Sequence, residues 1–256
     1  MSTMDAMGDG EPGIPDPQYN WRPGADPSTD KEIAGLFNSS EIEELKGFMC
    51  EIGRRMCQRH YVDGNGGNLS IRVGDNLVLC TPTLVSKGFM KPEDICLVDL
   101  DGRQLAGRRK STSEILTHLA MMKVQPDAKA CCHAHPPIAT GFAAAGVVPE
   151  RFLTPESEIF LGEIGLAEFR YPGSPECGEV VGGLSAGHTA IFMCNHGVIT
   201  RGKHLEAAYW RMEIVETTCS HYLVATALKG NDPIPRIDGK YALTLANSGK
   251  NMSEQL

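Results

Sequence analysis

His133-Ala134-His135 closes the apolar run 128–135, and in a strand residues i and i+2 point to the same face. Two imidazoles would therefore project together at a sheet edge, where Pro136-Pro137 forces the chain to turn. Neutral imidazole nitrogens bind zinc at about 2.0–2.1 Å, and a catalytic zinc commonly keeps three protein ligands and one open position. Asn195-His196-Gly197 offers the third ligand, because it follows the apolar run 189–194 and precedes a glycine bend. The bland alternative is two partly exposed strand-end histidines and a satisfied turn histidine, since H-x-H is short and common. Taken as a set, His133, His135 and His196 favour a metal. His60, His188, His204 and His221 have no comparable placement, whereas His118, four residues beyond Glu114, could support that carboxylate.

Ser111-Thr112-Ser113-Glu114 opens a helical pattern and carries two readings. Ser111 and Glu114 fit a capping box, each side chain satisfying an orphan backbone donor. Alternatively, a carboxylate near a divalent cation serves as a fourth ligand, or as the acid/base beside a polarised carbonyl. Thr112 and Ser113, with hydroxyls and helix-start amides, would suit a bound anion. In Gly66-Gly67-Asn68 the glycines either make a plain turn or form an amide nest for a phosphate or carboxylate. Thr81-Pro82-Thr83 could add another hydroxyl.

The elements that must position these groups follow from periodicity. Ile42, Leu45, Phe48, Met49, Ile52 and Met56 recur at three- and four-residue spacing, which predicts a helix over 40–60 capped by Ser39 or Ser40. Residues 69–73 and 77–80 read as a β-hairpin around Gly74-Asp75-Asn76, and 95–100 returns through Asp101-Gly102 at 103–105. A second helix spans 113–125 and stops at Pro126. After the strand 128–135 comes an Ala/Gly-rich helix or turn, then an irregular Pro-containing stretch over 149–175. A short helix over 178–186, a strand over 189–194 and a long helix over 205–228 complete the pattern, with a loop-like tail beyond Asn231. Hairpins mixed with helices predict a layered α+β or α/β/α domain.

Composition narrows the function classes. The chain has 256 residues, 41% hydrophobic and 22% charged, which is ordinary for a globular domain. A net charge of −8, from 24 Lys plus Arg against 32 Asp plus Glu, argues against broad attraction to nucleic acid or anionic membranes. Nine cysteines without a C-x-x-C pair exclude a complete disulfide framework or zinc ribbon and point to reduced thiols. No apolar run reaches the roughly 18–20 residues of a membrane span, and the acidic Gly/Pro-rich start lacks signal-peptide character, so the cytoplasm is the expected compartment.

In chain order, Gly66-Gly67-Asn68-Leu69-Ser70, Thr81-Pro82-Thr83, Pro92-Glu93-Asp94 with Val98-Asp99-Leu100-Asp101-Gly102, Ser111-Thr112-Ser113-Glu114, His133-Ala134-His135-Pro136 and Asn195-His196-Gly197 form a set. That set resembles the class II aldolase/adducin family, on its L-fuculose-1-phosphate aldolase-like branch, over residues 42–228. The resemblance implies an α/β fold: a three-layer α/β/α class II aldolase-like domain around a largely antiparallel sheet. It also implies a catalytic Zn2+, for which another divalent metal could substitute, and a homotetramer with active sites at subunit interfaces. By position, His133, His135 and His196 match the zinc ligands and Glu114 the catalytic acid/base. Gly67, Asn68, Thr83, Thr112 and Ser113 fall where the aldolase holds its substrate phosphate.

Several positions depart from the pattern. Leu84 stands where the aldolase has glycine, Thr112 replaces the first of two serines, and Glu156 or Glu158 lies in register with a tyrosine that the aldolase takes from a neighbouring subunit. A related epimerase resembles the chain less, because it usually carries Asp at the Glu114 position. The expected activity is reversible cleavage of a small ketose, a sugar phosphate, through a zinc-stabilised enediolate. Decarboxylation, dehydration and epimerisation share that chemistry and stay open. An adducin-like interaction module would have lost the metal ligands. The expected organisation is a flexible segment over 1–38, the aldolase-like domain over 39–230, and a tail over 231–256.

Overall fold

Alternation along the strands sorts the side chains onto two faces. The computed structural model describes residues 19–241 together with 244, 245, 247 and 248. Within them lie β1 (Asn68–Arg72), β2 (Val78–Cys80), β3 (Cys96–Val98), β4 (Gln104–Ala106), β5 (Ala130–Ala134), β6 (Gly165–Ala167), β7 (Ala190–Met193) and β8 (Gly197–Gly202). They form one sheet in the order β4-β3-β2-β1-β5-β8-β7-β6. Every neighbouring pair is antiparallel except β6 with β7.

The helices are α1 (Asp30–Phe37), α2 (Ser40–Gln58), α3 (Ile115–Val124), α4 (Pro137–Ala145), α5 (Pro155–Phe160), α6 (Pro175–Ser185) and α7 (Leu205–Lys229). Leu69, Ile71, Leu79, Cys132, Phe192 and Val198 face α2, α4 and α7 in one apolar cluster. Their neighbours Val78, Cys80, Val98, Cys131, Ile191 and Ile199 face α3 and α6 in another. Period-2 patterning thus covers both faces of the sheet and produces the expected three layers. The buried stripe of α2 includes Ile42, Leu45, Met49, Ile52 and Met56, and Ser39 accepts the Ile42 amide at its start. α7 runs to Lys229 before Gly230, as its pattern requires.

Two local expectations differ from the structure, and one strand carried no expectation. The stretch 149–175 is not irregular throughout: Thr154 caps α5, and β6 adds a parallel edge strand. β8 follows the His196 turn directly, although its six residues gave no distinct strand signal beside Gly197 and Gly202. The flexible segment over 1–38 is ordered from residue 19, and residues 1–18 lie outside those described. Thr29 and Glu32 make a reciprocal capping box for α1, whose Ile33, Leu36 and Phe37 pack on the core. Ahead of it, Trp21 Nε1 donates to Asp75 at 2.9 Å, and Asp26 accepts the Asp75 and Asn76 amides at 2.9 and 2.7 Å. The strap therefore closes over the β1–β2 turn. The tail is tied as well, since Ile237 N donates to Phe152 O; residues 251–256 are outside those described. All nine cysteines are free thiols. Among the described residues no helix is long and apolar enough to cross a membrane.

Candidate metal centre and acid/base site

His133 ends the central strand β5, opposite Asn68 of β1. Its ring lies on the α3 face and is 1% exposed. Nδ1 donates to Val198 O at 2.8 Å, which leaves Nε2 facing inward. His135 follows after the strand, and its amide donates to Tyr61 O. Its Nδ1 donates to Asp63 Oδ1 at 2.7 Å. His196 sits in the tight β7–β8 turn, where its amide donates to Met193 O at 3.1 Å and Asn195 takes φ 56°. Strand termini and one turn thus bring the three histidines together, each offering a ring nitrogen within 4.8 Å of the others.

The geometry fits a metal better than three stray rings. Nε2 of His133 and Nε2 of His135 are 3.2 Å apart, and two donors at about 2.05 Å from a tetrahedral ion are separated by about 3.3 Å. The outer nitrogens of both rings are taken by a carbonyl and a carboxylate, the arrangement that fixes ligand orientation in metal sites. Burial, reinforced by His196 and His135, holds His133 well below the ordinary histidine range. His196 is lowered as well, by burial first. These are neutral donors, the form that a metal takes. Gly197 is required beside them: a Cβ there would lie 2.6 Å from His135 Cδ2 and 2.7 Å from Ala134 O.

Glu114 completes the cluster. Its Oε2 lies 3.4 Å from Nε2 of both His133 and His196. The capping-box reading fails, because α3 begins only at Ile115 and Glu114 is itself the N-cap residue, with no side-chain cap bond. Ser111 instead bridges to Pro82. Released from capping, the carboxylate turns inward, where Asn68 Nδ2 donates to its Oε1 at 3.3 Å.

The expected substrate residues differ in exposure, and Gly67, Asn68 and Thr112 are the ones that touch His133 or Glu114. Gly67 needs its φ of 70°, and a Cβ there would lie 2.9 Å from His133 O, so it makes a close turn beneath the ligand. Thr83 N donates to Lys110 O and Thr112 N to Thr81 O, so the Thr-Pro-Thr segment and the α3 approach run side by side. Thr112 is buried and its hydroxyl accepts the Glu114 amide, whereas Ser113 is exposed and Thr83 half-buried. Leu84 keeps the left-handed φ of 57° suited to glycine, with its side chain in solvent. The backbone turn therefore survives the substitution, at a cost of about 1–2 kcal/mol. Glu158 is buried in an ion pair with Arg151 and Glu156 is exposed, which leaves Glu158 engaged within its own chain.

Sequence reasoning missed two contributors, Asp63 and Lys87, and gave a third, His118, the wrong direct partner. Asp63 was read only as part of a turn, although its carboxylate orients His135. His118 does not touch Glu114 directly; its Nε2 meets Asn68 Oδ1 at 2.5 Å. Lys87, 1% exposed, donates to Asn65 O at 3.0 Å and Val85 O at 2.7 Å, lashing the glycine loop to the Thr83–Leu84 turn. Burial pulls its ammonium down to about 8, against Cys57 and Glu114. A lone lysine between Ser86 and Gly88 carries no sequence signal for such a role.

Known proteins resemble this chain over most of its length. The family model described as Class II Aldolase and Adducin N-terminal domain matches residues 48–223. L-fuculose phosphate aldolase of Methanococcus vannielii is 38% identical over 68% of this chain and 92% of its own. A 3-oxo-tetronate 4-phosphate decarboxylase of Haemophilus influenzae is 31% identical over 72% of this chain and 89% of its own. The solved structure of YgbL from Escherichia coli superposes with a TM-score of 0.74 at 28% identity, covering 80% of this chain and 98% of that one.

Proposed function

Because the chain belongs to the class II aldolase and adducin family, we propose that it is a metal-dependent aldehyde-lyase that reversibly cleaves a small phosphorylated ketose. The observation that carries this reading is Glu114 Oε2 at 3.4 Å from the inward nitrogens of His133 and His196. His133, His135 and His196 would hold the cation, zinc by preference, although imidazole donors also accept manganese or cobalt. Bound there, the cation supplies Lewis-acid charge to oxygens that become anionic as the C–C bond breaks.

The chain's own residues do the rest. In the cleavage direction the hydroxyl beside the breaking bond loses its proton to solvent as its carbon becomes the aldehyde, and the ketone-bearing fragment keeps the bond's electron pair and leaves as an enediolate. Glu114 delivers a proton to the enediolate carbon, and removes it again in the condensation direction. Asn68 holds the Oε1 end of that carboxylate through its amide. Thr83, Ser113 and the amides around Gly67 and Leu84 would take the phosphate, by hydroxyl and backbone N–H donors.

Decarboxylation of a sugar-acid phosphate is the second reading. The resemblance to a 3-oxo-tetronate 4-phosphate decarboxylase favours it. Loss of carbon dioxide leaves the same kind of enediolate for Glu114 to protonate. The zinc-loaded protein should be screened against L-fuculose 1-phosphate, other phosphorylated and free ketoses, and keto sugar acids. Release of an aldehyde supports the lyase; release of carbon dioxide alone transfers the proposal to decarboxylation. Neither product from metal-replete protein would sink both.

A homotetramer belongs to the same proposal, supported by Val147, Leu223 and Val224 standing exposed beside α4 and α7. Light scattering on the purified protein tests it. Cytoplasmic residence is supported by the nine free thiols, which a reducing compartment preserves.

A further inference from the structure

Behind Glu114 runs a buried polar chain, of which the reaction scheme uses only the Asn68–Glu114 link. Ser70 Oγ lies 2.7 Å from His118 Nδ1. His118 Nε2 lies 2.5 Å from Asn68 Oδ1. Asn68 Nδ2 then reaches Glu114 Oε1 at 3.3 Å. Ser70 and His118 are fully buried and Asn68 is 3% exposed, so water does not enter the account. Ser70 and Asn68 share one face of β1, and α3 lays His118 across both.

Donor and acceptor rules fix the direction of this chain. Burial drives His118 down to about 3, with His133 adding to the effect and Glu114 opposing it. The ring is therefore neutral, with one N–H and one bare nitrogen. An amide oxygen only accepts, so Nε2 carries the hydrogen, and bare Nδ1 accepts the Ser70 hydroxyl. Turning the Asn68 amide over would set its oxygen against a carboxylate oxygen of Glu114, at the 3.3 Å now spanned by a hydrogen bond.

We propose that His118 is a positioning residue, which through its Nε2–H tautomer locks the Asn68 amide and thereby holds the Glu114 carboxylate against the histidine triad. Asn68 also stands opposite His133 in the β1–β5 ladder. One strand pair thus sets the spacing between the carboxylate and the ligand, and His118 sets the orientation. The inference rests on the acid/base role of Glu114 proposed above. Its amide arm assigns Asn68 to the carboxylate, leaving one further N–H for substrate.

The test combines a spectroscopic and a kinetic arm. Nitrogen-15 NMR of the metal-free wild type should show His118 as a neutral Nε2–H tautomer with a slowly exchanging proton. The Nδ1–H tautomer, or a charged ring at pH 7, would overturn the proposal. This arm needs no substrate and is independent of whether the lyase reading holds. In the zinc-loaded enzyme, His118→Leu should lower kcat by about 10- to 100-fold with metal content and KM unchanged, the usual size of such outer-sphere losses. His118→Gln, which returns an N–H near the Nε2 position, should recover most of it. Equal loss in both variants, or undiminished kcat in His118→Leu, would refute the positioning role. Should His118→Leu fail to fold, Ser70→Ala provides the kinetic reading: it frees the tautomer and should lower kcat without loss of metal, and unchanged kcat counts against the proposal.

Discussion

Asp63 Oδ1 accepts the Nδ1–H of His135 at 2.7 Å across 72 residues of chain. The carboxylate stands before β1 and the imidazole after β5, so the contact pins the glycine loop to the histidine triad. Removing it with Asp63→Ala should weaken zinc binding by about 10- to 100-fold. Competition with a chromophoric chelator measures this directly. Unchanged affinity would show that the strand ends alone orient His135.

Glu114 is expected to act on protons rather than to retain the metal. Glu114→Gln preserves shape and the Asn68 contact side while removing the base. Turnover should fall by about 10²–10⁴-fold. Metal content by atomic emission should stay at one ion per chain. Loss of the ion in this variant would make the carboxylate a ligand in the first place.

Lys87 makes a signed prediction about stability and pH. Its folded-state value is about 8 against an ordinary 10.5. Between those values the unfolded chain binds more protons than the folded one, so this group's contribution to stability rises with pH through the window. Below about 8 both states are charged and the burial penalty is full; above about 10.5 both are neutral and it is gone. Urea unfolding of wild type and Lys87→Met at pH 7.5, 9 and 10.5 should therefore show the difference moving steadily in favour of the wild type. A pH-independent difference would contradict the burial of an ionisable amine.

Glycine substitutions separate close approach from open space. Gly197→Ala places a methyl 2.6 Å from His135 Cδ2, and should cost about 1–3 kcal/mol with loss of metal. Gly183→Ala, on the exposed side of α6 with nothing within 4 Å, should instead gain about 0.5–1 kcal/mol. Thermal unfolding of both variants with metal analysis checks the pair.

The long helix α2 was legible because it buries one periodic face, and β1, β2, β3, β5 and β7 because short apolar runs end at turn residues. The histidine triad was legible because strand termini and proline or glycine punctuation constrain where a side chain emerges. Contacts across the sheet were not. Asp63 to His135, Asn68 to His118 and Lys87 to Asn65 join residues 72, 50 and 22 positions apart, and no local pattern encodes them. The Ser111–Glu114 spacing misled, because Ser111 is held by Pro82 and the helix starts one residue after Glu114. β6 and α5 are three and six residues long, too short for periodicity to speak. The Thr29–Glu32 capping box that marks α1 was present in the letters, yet the Gly/Pro-rich composition around it led the segment to be read as flexible.

The strand order β4-β3-β2-β1-β5-β8-β7-β6 splits the sheet into the first four strands and the last four, which meet only where β1 pairs with β5. Asp63 and Asn68 arrive with one half, His133, His135 and His196 with the other, and Glu114 from the segment between them. The three histidines can therefore gather within one half, and what the seam adds is their surroundings: pairing β1 with β5 brings Asp63 to His135 and Asn68 to Glu114. A cation held by the triad alone would lack its orienting carboxylate and its base until that pairing forms.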